Sequence, residues 1–231
     1  MHGVAACLQK EDGVAAFTRL YLAVTEAVEA QATHGRFRDG PFLARLDVAF
    51  AELYFDALRA FLDDRRRLPR AWAPLVESRG RGGILPLQFA LAGMNAHINR
   101  DLPLALVAVC EERGVEPEDA SDVHRDYLDV NRLLAETEAH VKPQLVTGPL
   151  AFLDRRLGAT DDVLALWNVA RARDAAWTNA RTLWALRGTP TLADEFARSL
   201  DRSVGMAGRG LLRPLPPVRR LLLDRIRSRF R

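Results

Sequence analysis

Cysteine is nearly absent from this 231-residue chain, which carries only Cys7 and Cys110. Two cysteines allow at most one disulfide and have no metal-ligand spacing. That excludes a disulfide-stapled scaffold and a cysteine-clustered metal site, and it makes a reducing cytoplasm the expected location. Long hydrophobic runs are missing too. The longest, residues 84–98 and 102–110, are interrupted by Gln, Gly, Asn, His and Pro, short of the roughly 18–20 apolar residues of a membrane span. The first residues lack the basic segment, apolar core and cleavage site of a secretory signal. Lysine is scarce: Lys10 and Lys142 are the only two among 33 basic residues. With abundant Ala and Leu, this arginine bias fits a GC-rich bacterial genome. Strand-length alternations of Val, Ile and Thr are absent, and so is any repeat of 20–50 residues. Also missing are a phosphate-binding Gly-x-x-x-x-Gly-Lys loop, a dinucleotide fingerprint, a Gly-x-Ser-x-Gly elbow, His-Glu-x-x-His and paired Glu-x-x-His. Familiar nucleotide hydrolysis and acyl transfer are therefore not expected.

What is present is helical. A 48% hydrophobic, 27% charged chain of this length suits one large globular domain. Phe17, Leu20, Tyr21, Val24 and Val28 repeat at the spacing of one helix face over 14–32. Leu46, Ala49, Phe50, Leu53, Tyr54, Ala57, Leu58 and Phe61 do so over 42–63. A short helix is expected to start at 69–72. A helix over 84–100 is apolar almost all round, as a helix enclosed by others would be. Asp101-Leu-Pro103 reads as a break, with Asp101 capping a new helix to about 112. Further helices are expected over 123–141, ended by Pro143, over 161–186, and over 191–204. The fold class is all-α: a single-domain multi-helix bundle around a central apolar helix.

Net charge is +3, but residues 205–231 hold eight Arg and one acid, +7 in all, leaving −4 for the rest. Positive charge confined to one end argues against a nucleic-acid footprint. Residues 1–204 form the expected bundle domain. Residues 205–231 read as a Gly/Pro linker and a basic amphipathic helix, in which Val218, Leu221, Leu222, Ile226 and Phe230 share a face. Through 212–231 that helix could lie on an anionic membrane or an acidic partner, or pack on its own acidic body.

The most informative segment runs from Gln88 to Leu106 and sets Gln88, Asn95, His97, Asn99 and Asp101 among Leu, Ala, Phe, Ile and Met. Buried polar groups demand partners. At 100° per residue, Gln88, Asn95 and Asn99 fall on one side, and Gly93, His97 and Asp101 on the other. His97 and Asp101 are i, i+4, the spacing for an oriented general acid/base or two metal ligands. Asn95 and Asn99 could hold substrate polar atoms or the core. Asp47 and Tyr54 share a face of their helix, Tyr127 and Asn131 are one turn apart, and Arg173 and Trp177 likewise. Asp47, Tyr54, Asn131, Arg173 and Trp177 are candidates to join His97 around a pocket, Arg173 serving an anionic group. The bland alternative is a helix-crossing network in which Asp47 or Asp174 neutralises Arg173. The Arg79-Gly-Arg-Gly-Gly83 stretch is a weak anion candidate.

The Gly-Met-x-x-His97-x-x-x-Asp101-x-Pro stretch loosely resembles the Gly…His-x-x-x-Asp segment of zinc-dependent bacterial phospholipases C, which are all-helical. Their other His ligands and N-terminal Trp ligand have no counterpart here. No cofactor and no metal site are therefore expected, zinc or another divalent ion being the lesser alternative. A broader resemblance covers most of 14–200. It rests on Phe17-x-x-Leu-Tyr21-x-x-Val-Thr25, Leu46-Asp-Val-Ala-Phe-Ala51 with Tyr54-Phe, and Trp72. Gln88-Phe-Ala-Leu-Ala-Gly-Met-Asn-Ala-His-Ile-Asn-Arg-Asp-Leu102, Asp126-Tyr-Leu-Asp-Val-Asn131 and Arg173-Asp-Ala-Ala-Trp177 complete it. On these the chain resembles a bacterial family designated domain of unknown function, number 5995. The resemblance implies a helical fold and a common site around His97, and no particular reaction.

The expected function is a small-molecule pocket with His97 as acid/base and Asp101 orienting it, in an enzyme of hydrolase, lyase or cyclase type acting on a partly apolar metabolite. The alternative is a non-catalytic ligand-binding or scaffold protein whose polar core sets helix register.

Overall fold

The computed structural model describes residues 1–9, 11–31, 37–145 and 168–214. These form α1 (His2–Cys7), α2 (Gly13–Gln31), α3 (Gly40–Asp63), a 3₁₀ turn (Arg65–Arg67), α4 (Ala73–Ser78) and α5 (Pro86–Ala96). A π-helical turn (His97–Asp101) follows, then α6 (Leu102–Arg113), α7 (Asp122–Leu145), α8 (Val169–Leu186) and α9 (Pro190–Leu211). No strand occurs among the described residues, and no helix there is long and apolar enough to cross a membrane. The fold is all-α.

Helix starts follow short-range chemistry. Asp12 Oδ1 accepts the Val14 amide at 2.8 Å, Asp39 Oδ1 that of Phe42 at 2.9 Å, and Asn168 Oδ1 that of Arg171 at 2.9 Å. Each satisfies a donor that helix geometry leaves orphaned. Pro41, Pro74, Pro86 and Pro190 occupy first turns, where a missing N–H costs nothing. Gly114, at φ 63°, closes α6 in the left-handed conformation.

Helix α5 is the axis. Every residue from Leu87 to Ala96 is buried, because α2 and α9 pack along it while α3 and α8 pack along its continuation α6. Helix α7 closes the bundle against α2 and α8. Close approach of α2 depends on Gly93, where a Cβ would lie 2.3 Å from Phe17 Cγ. Both cysteines are free, Cys7 exposed and Cys110 buried.

Several boundaries differ from expectation. The 69–72 segment is a turn, Trp72 N donating to Pro69 O at 3.0 Å, and the helix begins at Ala73. Helix α7 passes Pro143 to end at Leu145, since a proline in a last turn removes one amide donor without breaking what precedes it. The chain does not break at Asp101, and Asp101 caps nothing. Its backbone is helical (φ −79°, ψ −40°), and its carboxylate is engaged elsewhere. The Leu102 amide reaches back five residues to His97 O. This wider turn relieves the clash that Pro103 would otherwise make with the carbonyl four residues earlier.

Residues 205–211 are helix, not linker. Gly205 and Gly208 are buried, and a Cβ on Gly205 would stand 2.4 Å from Arg70 O, so the glycine permits contact with the 69–72 turn. The amphipathic helix expected over 218–230 and the part of the long Trp helix over 161–167 lie outside the described residues.

Candidate functional site

The π turn places His97 and Asp101 on the inner side of the bundle, 1% and 0% exposed. His97 Nδ1 lies 3.3 Å from Asp101 Oδ2. A carboxylate can only accept, so Nδ1 carries the proton and Nε2 the lone pair. Trp72 Nε1 donates to the same Oδ2 at 2.9 Å, and Arg100 donates to Oδ1 at 2.7 Å. Arg100 Nε also faces Asp201 Oδ1 of α9 at 3.6 Å. Asp201 in turn accepts the Arg70 and Ala71 amides at 2.9 and 3.0 Å. The buried carboxylate is thus fully satisfied, as a charge in such a place must be.

Aromatic rings surround the imidazole. Phe50 stacks on it with centroids 3.5 Å apart at 6°, and Tyr21 meets it edge-on at 4.5 Å. Phe17, Trp72 and Tyr54 stand at 5.8, 6.1 and 6.2 Å. Among the described residues Nε2 has no hydrogen-bond partner. Burial holds the imidazole below its ordinary 6.5, against the opposing bond and charge of Asp101 and the charge of Asp47, while Arg173 adds to the lowering. His97 is therefore neutral at neutral pH. Burial also pushes the Tyr21 phenol well up, with Asp47 and Asp101 adding to it.

Asp47 lies one turn before Phe50 on α3. It is exposed. Desolvation pushes its carboxyl up, His97 opposes this, and Glu29 adds to it. Tyr54 is fully enclosed. Its hydroxyl shares a 2.6 Å hydrogen bond with Thr18 Oγ1, which donates to Val14 O at 2.8 Å. Burial raises the Tyr54 phenol to about 12, the Thr18 bond opposing. Tyr54 thus supports the ring cluster, and with its one hydroxyl proton given to Thr18 it has no donor left for His97 Nε2.

The other stripe of the central helix goes to α9. Gln88 Nε2 donates to Leu211 O and Arg213 O at 2.8 and 2.9 Å, and its Oε1 accepts the Leu85 amide at 2.9 Å. Asn95 Nδ2 donates to Val204 O at 2.9 Å, and Asn99 Nδ2 donates to Asn95 Oδ1 at 3.1 Å. Asn95 thus ties the central helix to α9, and Asn99 braces Asn95. On α8, Arg173 Nε donates to Asn131 Oδ1, the guanidinium lies 4.3 Å over the Tyr127 ring, and Tyr127 donates to Arg173 O at 2.7 Å. The expected pairing of Arg173 with Asp47 or Asp174 is not made: Asp174 takes the Asn131 amide at 3.4 Å instead. Trp177 faces away, stacked on His124 at 4.5 Å with its N–H on Asp119 at 3.0 Å.

A family model described as Family of unknown function (DUF5995) matches residues 1–214. The chain belongs to that family. The match takes in every described residue of this DUF5995 protein. No curated protein and no solved structure matches it.

The sequence reading missed Trp72, Arg100, Tyr21 and Phe50 as parts of the site. Tyr21 and Phe50 carried only the signal of core stripes. Arg100 sits beside Asp101, but a reading of Asp101 as a helix cap or as the partner of His97 leaves Arg100 without a role. Trp72 stands 29 residues from Asp101, with nothing local to join them. Among the described residues no three His, Cys, Asp or Glu side chains converge as metal ligands.

Proposed function

We propose that this protein is an enzyme that binds a small, partly apolar metabolite against the Tyr21–Phe50–His97 cluster and moves a proton with His97. Nε2 is the base, Asp101 holds Nδ1–H, and Trp72 and Arg100 hold Asp101. The observation that carries the reading is the buried, partnerless Nε2 on an imidazole whose other nitrogen is fixed. A buried polar atom without a partner is costly to maintain, and a neutral histidine with an oriented ring is a competent general base. Asp47, exposed on α3 one turn from Phe50, is placed to meet the polar atoms of a ligand that displaces that ring. Entry requires displacement of Phe50, which is half-buried over the ring. The chemistry is proton transfer of lyase, cyclase or hydrolase type and calls on no cofactor. The setting is the bacterial cytoplasm.

The test is untargeted profiling of a small-metabolite extract incubated with wild type, His97→Gln and Asp47→Asn. A compound consumed by wild type and spared by folded His97→Gln is expected. Identical profiles for all three proteins would overturn the reading.

A second reading is favoured by the bonds from Gln88 and Asn95 to α9 and by the closure of rings over His97. In it the polar core fixes helix register in a non-catalytic scaffold, and the basic 212–231 segment meets a membrane or acidic partner. Loss of binding to anionic vesicles on deleting 215–231 would support it.

A further inference from the structure

The two oxygens of Asp101 lead, by separate routes, to one carboxylate on α9. From Oδ1 the route is short: Arg100 Nη1 donates there at 2.7 Å, and Arg100 Nε faces Asp201 Oδ1 at 3.6 Å. From Oδ2 it runs through the Trp72 indole, whose N–H donates at 2.9 Å, and back to the two residues before it. The Arg70 amide donates to Asp201 Oδ2 at 2.9 Å, and the Ala71 amide to Oδ1 at 3.0 Å. Trp72 N itself turns back on Pro69 O at 3.0 Å, so fixing the amides at 70 and 71 aims the indole. The circuit is closed, and Asp201 is the one member that holds both arms.

Docking of α9 does not require such a circuit. Gln88 and Asn95 already bond the Leu211 and Val204 carbonyls, and Gly205 lets the helix approach the Arg70 carbonyl. A carboxylate that merely stapled the turn to α9 would need its two amide bonds and no more. The Arg100 arm is additional, and it enters a place where charge is costly: the Arg100 and Asp201 side chains are mostly buried and Asp101 is wholly so. One guanidinium is shared by two carboxylates, and its orientation is set by both. With Nε against Asp201, Nη1 is kept on Asp101. Without that second hold, a long side chain regains rotamer freedom toward solvent.

We propose that Asp201 is a positioning residue of the His97 site: through Arg100 and Trp72 it fixes both oxygens of Asp101, and Asp101 in turn fixes the Nδ1–H of the imidazole. This rests on the proposed role of His97 and extends it to a residue that acts from α9. A general base works best when its supporting bonds are locked before the substrate arrives. Removing the Asp201 charge frees Arg100 to leave Oδ1 and lets the 69–72 turn shift. Asp101 then gains freedom, and Nδ1–H loses its fixed acceptor at 3.3 Å.

The experiment follows the ring N–H of His97 and the indole N–H of Trp72 by ¹H–¹⁵N NMR of the full chain, with no substrate present. Asp201→Asn keeps the size of the side chain and an oxygen for one amide, but loses the charge that holds Arg100. Hydrogen exchange at least tenfold faster at both N–H groups is expected, with both signals shifted, and Asp201→Glu should recover part of the wild-type spectrum. Gln88→Ala is the control: it loosens α9 near its C-terminus, through bonds outside the circuit, and should leave both signals in place. Unchanged signals in folded Asp201→Asn overturn the proposal. So does an equal change in Gln88→Ala, which would reduce Asp201 to one helix staple among several. If Asp201→Asn does not fold, native-state exchange of wild type in urea decides. The Arg70 and Ala71 amides and the Trp72 indole N–H are expected to open as one unit, and independent opening overturns the link. These signals belong to the free protein and need no turnover. Wild type that consumes no metabolite, while Asp201→Asn shifts His97, removes the His97 chemistry and leaves the positioning standing. A compound spared by His97→Gln, with the His97 signal indifferent to residue 201, removes the positioning alone.

Discussion

Trp72 and His97 converge on a single oxygen: the indole N–H reaches Asp101 Oδ2 at 2.9 Å, and His97 Nδ1 approaches the same atom at 3.3 Å. With Arg100 on the other oxygen, Asp101 becomes the fixed point of the buried polar core. Asp101→Asn would remove the charge while Arg100 stays. Loss of one partner from a buried ionic group costs about 3–5 kcal/mol, and urea unfolding should show a free energy of unfolding lower by that amount. Trp72→Phe, which removes one donor to a charged acceptor, should cost about 1.5–3 kcal/mol. Long-range ¹H–¹⁵N spectra should show the Nδ1–H tautomer of His97 in wild type and a mixture in Asp101→Asn.

The lowered imidazole of His97 makes a pH prediction of definite sign. Above about 6.5 both folded and unfolded states hold a neutral ring, and the contribution is whole. As pH falls below that value the unfolded chain takes a proton that the folded core refuses, mainly through burial. Stability should then decline by about 1.4 kcal/mol per pH unit from this group. Asp47 acts oppositely. Its raised carboxyl favours the folded state below the ordinary 3.8, and this is lost as pH rises through its folded value. Urea unfolding of wild type and His97→Gln between pH 7 and 5 isolates the first effect. Parallel curves would show that the core accepts the proton.

Gln88 and Asn95 bind α9 and the residues just after it through backbone carbonyls of Leu211, Arg213 and Val204. Replacing either by Ala should cost about 1–2 kcal/mol, and amide exchange should rise first in 204–213. The central helix should stay protected, because its apolar contacts with α2 are untouched. Exchange rising uniformly would mean that α9 is not a separable layer.

These bonds also show how much was legible. The two stripes of the central helix follow from 100° per residue, and each went where that geometry sends it: Gln88 and Asn95 to α9 with Asn99 bonded to Asn95, His97 and Asp101 to the ring cluster. The α2 and α3 faces were readable from apolar spacing alone. The π turn was not, since Asp-Leu-Pro is also the pattern of a helix break, and continuation depends on α3, α8 and α9 packing around it. Trp72 was invisible as a site residue because its link to Asp101 is purely tertiary. Asp47 and Tyr54 share a sequence face, yet one retains solvent contact and the other is sealed, a difference that neighbouring helices decide.

Residues 205–211 mislead for a related reason: glycine serves chain freedom in a linker and close approach in a packed helix. Asp201 and Gly205, one turn apart on α9, grip the Arg70–Ala71 peptide, the carboxylate taking both amides while the glycine admits the Arg70 carbonyl. A Cβ at 205 would stand 2.4 Å from that backbone oxygen, and no side chain can rotate to relieve it. Gly205→Ala should therefore cost at least the roughly 1–3 kcal/mol typical of overpacking. By shifting Asp201, it should also loosen Arg100 from Asp101. Gly210, with nothing within 4 Å of its added Cβ, should gain about 0.5–1 kcal/mol as Ala, through the lower entropy cost of ordering the backbone. Thermal unfolding of the two variants should move in opposite directions. The same direction for both would mean that 205–211 does not hold its helix against the 69–72 turn.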